Sequence, residues 1–120
     1  MKGFFCNENE FPYAQKIAFG EKTIETRSRD MLSALVGERV AIVATHSGGY
    51  PMVIGYVDVC SKALLIYSEL EKFRDKTLIP RGSKFDTPAR WCYFLMNAKP
   101  CKPYPLPFSA IRHGRSWCEF

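Results

Sequence analysis

The chain has 120 residues, 47% hydrophobic and 24% charged, with 17 Lys and Arg against 12 Asp and Glu. That length suffices for one domain, residues 1–120, with a hydrophobic core that needs no disulfide staples. Its five cysteines, Cys6, Cys60, Cys92, Cys101 and Cys118, are odd in number and form no C-x-x-C pair, which argues against a disulfide framework or a zinc site and for reduced thiols.

No apolar run approaches the roughly 18 residues of a membrane span; the longest cluster, Ala63 to Tyr67, is strand-sized. Met1 to Glu8 lack the apolar stretch and cleavage site of a signal peptide, so a cytoplasmic location is expected. The charge is uneven. Residues 1–73 carry eight Lys/Arg against nine Asp/Glu, giving −1, whereas residues 74–120 carry nine against three, giving +6. A basic C-terminal half suits an anionic partner such as RNA, with solubility as the competing explanation.

Lys2 to Cys6 reads as a first strand and Asn7 to Glu10 as a polar loop. Pro12 then opens a helical pattern that places Tyr13, Ala14, Ile17 and Ala18 on one face and closes at Gly20. Thr23 to Arg27 has the β-branched content of a strand. Alternation puts Thr23, Glu25 and Arg27 on one face, and Ile24 and Thr26 on the other, with Ile24 in the core. Lys22, at the turn, has a stem long enough to reach the side of Glu25 and Arg27. A carboxylate between two cations stays ionised, which suits it to accept hydrogen bonds and orient a ligand. A solvated ladder of surface charges is the plainer alternative.

Further along, Arg29 to Gly37 suggests a short helical turn, and Arg39 to Thr45 a strand covered on both faces. His46 to Pro51 reads as a hairpin connection, with an anion-binding nest as the less economical alternative and His46 as a rim candidate. Met52 to Val59 gives another strand, with Val53, Val57 and Val59 on one face and a bulge or close approach at Gly55. Ala63 to Tyr67 continues the sheet, and Ser68-Glu69-Leu70-Glu71 is a capping-box signal for a helix burying Leu70, Phe73 and Thr77 or Leu78.

Pro80 to Pro88 is a loop with two cations, and Trp91 to Met96 a strand with both faces covered. Pro100, Pro103, Pro105 and Pro107 argue against regular central pairing and for an extended edge segment; this stretch is also the one feature suggesting a protein partner. In the tail, Arg112, His113, Arg115 and Trp117 interleave cations and aromatic rings that suit stacking on bases and binding phosphate, unless Trp117 and Phe120 only pin the terminus. At least five strands with two short helices predict a small mixed barrel of the α+β class. The two histidines and scattered thiols offer no metal-ligand spacing, so neither metal nor cofactor is expected.

Three segments together, Pro12-Tyr13-Ala14, Gly20-Glu21-Lys22-Thr23-Ile24-Glu25-Thr26-Arg27 and Gly37-Glu38-Arg39-Val40-Ala41-Ile42, resemble the opening of an ASCH domain, a family with a PUA-like β-barrel and a G-x-K-x-x-E-x-R signature. The ending, His113 to Trp117, is similar to the tails of small bacterial members. The resemblance implies a PUA-like barrel with two or three short helices, and binding of RNA, a nucleotide or a nucleoside in a cleft beside the signature. It makes Lys22 a phosphate or carbonyl partner, Glu25 an acceptor and Arg27 a positioning cation; Arg29 and Arg115 complete the expected nucleic-acid contacts. The alternative it implies is a hydrolase, either a ribonuclease or a modified-nucleoside amidohydrolase, using Lys22 and Glu25. In the amidohydrolase pattern a threonine nucleophile falls three residues after the lysine, where this chain has Glu25.

Overall fold

The computed structural model describes all 120 residues. Strand β1 spans Lys2–Asn7, helix α1 Tyr13–Ala18 and strand β2 Ile24–Arg27, followed by a 3₁₀ turn at Ser33–Leu35. Strands β3 (Arg39–Thr45) and β4 (Met52–Ile66) form a long hairpin, and helices α2 (Tyr67–Lys72) and α3 (Arg74–Thr77) lead into β5 (Ala89–Pro105). Strands β6 (Ile111–His113) and β7 (Trp117–Glu119) form the terminal hairpin. All seven strands join one sheet in the order β2-β5-β4-β3-β1-β7-β6, with only β1 and β3 parallel. No helix is long and apolar enough to cross a membrane.

The expected mixed α+β class is present, but the barrel is not closed. The outer edge of β1 is occupied by β7 through Lys2, Gly3 and Phe4, and the Phe5 amide donates to the Ser116 carbonyl at 3.0 Å. No edge of β1 remains for β2 to pair with. Yet Arg27 of β2 donates from Nη2 to the Phe5 carbonyl of β1 at 2.6 Å, although four steps of the sheet separate these strands. Five strands therefore curl until β2 faces β1 across an open seam.

Sequence alternation explains the two-sided burial of β3. Val40, Ile42 and Ala44 enter the larger core with Phe4, Ile17, Leu35 and Tyr93, while Ala41 and Val43 enter a second core with Phe5, Val53 and Leu106. The expected sharing of one face by Val53, Val57 and Val59 does not hold. Pairing shifts register between Val53 and Gly55, so Val53 turns to the second core while Val57 and Val59 stay in the first. A bulge adds one residue and thereby inverts every side chain beyond it.

The prolines of β5 lie on an extended edge, as expected. Pro100 and Pro105 pair in register with Gly55 and Met52. They are tolerated because β2 covers only Trp91 to Phe94 of β5, leaving the later half with β4 on one side and no ladder partner on the other. The capping signal is displaced. The helix begins at Tyr67, two residues before the expected start, and the Ile66 amide donates to Glu69 Oε1 at 3.2 Å. The single helix expected there is two short ones, and of its stripe Leu70 and Thr77 are buried while Phe73 is exposed.

At Gly55 the close approach is present: an added Cβ would lie 2.7 Å from the Lys99 carbonyl oxygen and 3.1 Å from the Pro100 Cα. Both are backbone atoms of the paired strand and cannot rotate away. Gly55→Ala is expected to destabilise the protein by about 1–3 kcal/mol, the usual cost of overpacking. The check is a lower denaturation midpoint at unchanged slope; an unshifted midpoint would mean that β4 and β5 separate without cost.

Candidate functional site

The seam between β1 and β2 opens into a cavity of about 630 Å³. Its walls are Phe5, Cys6 and Asn7 from β1, Glu25, Thr26 and Arg27 from β2, Tyr13 from α1, and Phe85 and Arg90 from the loop and first turn of β5. Arg112, Gly114, Arg115 and Ser116 of the terminal hairpin close one side. The hairpin reaches this position because β7 extends the sheet past β1. Phe85 is placed by its loop, which is tied down by Arg74: one Nη2 serves Glu71 and, at 3.1 Å, Asp86.

Gly20 ends α1 with φ +79°, a conformation favourable to glycine. The amides of Glu21 and Lys22 fold back on the Lys16 carbonyl, turning the chain so that the Lys22 side chain drops under β2. Lys22 is 1% exposed. Its ammonium donates to the carbonyls of Ile24 (2.8 Å) and Thr77 (2.5 Å), lies 3.6 Å from Glu25 Oε1, and sits over the Tyr13 ring at 4.5 Å. Two carbonyls thus take ammonium protons, and the carboxylate and the ring face balance the charge. Burial lowers the Lys22 pKa, and Glu25 partly restores it.

Glu25 is 6% exposed. Oε2 accepts from Arg27 Nε (3.2 Å) and Nη2 (3.1 Å), and Oε1 accepts from the Thr26 amide at 3.2 Å. Three hydrogen bonds thus reach the carboxylate, and the Lys22 ammonium stands beside Oε1 as an ion pair at 3.6 Å. Burial alone would raise its pKa; Arg27 and Lys22 together outweigh burial and hold it below the usual carboxylate range.

Arg90 is 6% exposed and lines the cavity. Its Nε donates to Thr26 Oγ1 at 2.8 Å, and its other nitrogens reach the Thr26 carbonyl at 3.4 Å and Thr87 Oγ1 at 3.5 Å. All three acceptors are neutral. The guanidinium lies 5.6 Å from the centre of the Phe85 ring. Arg112 packs over Phe5 at 5.2 Å. Tyr13 donates to the Leu78 carbonyl at 2.9 Å, and burial, aided by Glu25, pushes its pKa up to about 12. Burial likewise raises Cys6 well above the ordinary thiol value, which leaves it a poor nucleophile.

Of the residues expected from sequence, Lys22, Glu25 and Arg27 come together, with Lys22 beneath the carboxylate and outside the cavity wall. Arg115 lines the cavity, whereas Arg29 is exposed and does not. His46 lies in the exposed β3–β4 turn, and His113 stacks on Trp117 at 3.8 Å; none of the three lines the cavity. Arg90 and Phe85 were not singled out. Thr26 and Arg90 are 64 positions apart, and only strand pairing brings them together. The one local signal was a cation opening an otherwise apolar strand.

No protein-family model matches the chain, and no curated protein matches it by sequence. Among solved structures it is similar to the crystal structure of ASCH from Zymomonas mobilis, with a TM-score of 0.66 and 18% identity, covering 87% of this chain and 73% of that one. Two point-mutant forms of that protein give TM-scores of 0.65 and 0.67 at 19% and 23% identity, covering 86% and 88% of this chain and 73% and 77% of theirs. The chain therefore has the ASCH fold.

Replacing Glu25 by leucine leaves the buried Lys22 and the half-buried Arg27 without their counter-charge. Glu25→Leu is expected to cost about 3–5 kcal/mol near neutral pH. Because the folded pKa of Glu25 is depressed, its contribution is present above the unfolded carboxylate pKa and is lost as pH falls through the folded value. Wild type should thus lose more stability than the variant on acidification, as read by urea unfolding across that window; equal acid sensitivity would remove Glu25 from the account.

Proposed function

We propose that this chain is an ASCH-domain protein that binds RNA or a nucleotide in the cleft beside Gly20 to Arg27. Four guanidinium groups, Arg27, Arg90, Arg112 and Arg115, line a cavity whose one carboxylate, Glu25, is already neutralised from within. That imbalance attracts an anion, and the cavity volume falls within the range of small-ligand pockets. Tyr13 and Phe85 add aromatic surface beside the cations, the combination that holds a base and its phosphate together.

Binding is favoured over turnover by Glu25. A carboxylate with three hydrogen bonds, an adjacent ammonium and a depressed pKa is a weak proton acceptor, and the cavity wall contains no histidine to replace it. The role of the signature in this proposal is architectural. Lys22 and Glu25 set Arg27 in place, and Arg27 presents its remaining edge at the seam. Arg112 and Arg115, both exposed, are the outer contacts that steer a polyanion to the mouth.

Binding of a short RNA should weaken with rising salt, with a slope set by the phosphates contacted. Arg112→Ala and Arg115→Ala should each reduce affinity by about tenfold or more and lower the salt slope by about one, measured by fluorescence anisotropy over a range of potassium chloride. Unchanged affinity in both variants would remove the terminal hairpin from the binding surface, and a flat salt profile would argue against phosphate contact altogether.

A further inference from the structure

The four arginines of the cleft are not equivalent. Arg27 is committed to Glu25 and to the Phe5 carbonyl. Arg112 and Arg115 stand exposed on the terminal hairpin. Arg90 alone is both buried and without a carboxylate partner: its contacts are the hydroxyl and carbonyl of Thr26 and the hydroxyl of Thr87. A buried cation satisfied only by neutral oxygens retains most of its desolvation cost. Burial lowers its pKa, with Glu25 opposing from a distance. An anion entering the cavity would supply the missing counter-charge at the one place where the protein provides none.

We infer, resting on the nucleotide-binding proposal above, that the cleft selects a terminal phosphomonoester, held by Arg90: its ligand is a mononucleotide or the phosphorylated end of a strand.

Depth and charge point the same way. An internal phosphodiester carries a nucleotide on each side, so bringing it to a guanidinium that is 6% exposed would draw both neighbours into one cavity of about 630 Å³. A terminal phosphate enters end-on, with one nucleotide behind it beside the packed pair of Tyr13 and Phe85 rings. Near neutral pH a phosphomonoester bears a charge of about −1.5 to −2, against −1 for a diester. The larger charge better matches a cavity where Arg27 and Arg90 face the single carboxylate of Glu25, with Lys22 beneath it. The planar fork of Arg90 suits bidentate contact with two phosphate oxygens. Arg112 and Arg115, farther out, remain for the diesters of a longer strand.

The test compares, by calorimetry on the full chain, a nucleoside with its 5′- and 3′-monophosphates, and one short RNA bearing 5′-phosphate, 3′-phosphate or hydroxyl ends, together with its circular form. Ligands with a phosphomonoester at one of the two ends should bind about tenfold or more tighter than their hydroxyl-ended counterparts. Arg90→Gln should abolish that preference, and Arg90→Lys, which keeps the charge but loses the fork, should restore only part of it. If Arg90→Gln does not fold, the wild-type panel still decides. Equal affinity for hydroxyl-ended, circular and phosphorylated RNA would overturn the inference and leave the nucleic-acid proposal standing. No binding of any nucleoside, nucleotide or RNA would overturn both.

Discussion

A buried carboxylate with a cation on either side organises this molecule. Glu25 sits between Lys22 below and Arg27 beside it, at 3.6 and 3.1 Å, and each of the three depends on the other two. Lys22 joins the turn after α1 to the Thr77 carbonyl at the end of α3. Arg27 joins β2 to the Phe5 carbonyl of β1. Charges taken out of water are costly singly and tolerable together, provided that their remaining protons and lone pairs are satisfied. Here the partners are three carbonyls, one backbone amide and the face of Tyr13, with one edge of Arg27 left toward the seam.

The same cluster accounts for the cleft. With its outer edge occupied by β7, β1 cannot accept β2 as a neighbour, and the curled sheet stops short of closure. A side-chain bridge from Arg27 substitutes for the missing ladder at one point. On the open side of that bridge, polar groups of β1 and β2 face a common space, and the basic terminal hairpin closes one side of it. The recognition surface is thus the unclosed part of a barrel, and the residues that prevent its collapse are the ones that line or underlie it.

Much of this arrangement was legible locally. Gly20 as a helix stop, Ile24 in the core and Lys22 reaching toward Glu25 all follow from a few adjacent residues, where glycine conformation and strand alternation act directly. The barrel expected from strand count was not closed, because closure depends on which edge β7 occupies and no local pattern encodes that. The inversion of Val53 depends on a bulge set by pairing with β5. Arg90 was missed for the same reason: its significance lies in Thr26 and in the lack of a carboxylate nearby, both consequences of long-range pairing. Lys22 directs its hydrogen bonds to the Ile24 and Thr77 carbonyls, and Glu25 accepts from Arg27 and the Thr26 amide.

The state of the Glu25 carboxylate is the point on which the rest depends. Its side-chain carbon resonance, assigned by selective labelling and followed by NMR through an acid titration, reports ionisation directly. The account predicts a transition below the range of ordinary glutamates, and a resonance that stays in the ionised position when nucleotide is added at neutral pH. A transition at or above the ordinary range, or protonation of Glu25 when ligand binds, would contradict it, and would make the carboxylate a group that exchanges protons with whatever occupies the cleft.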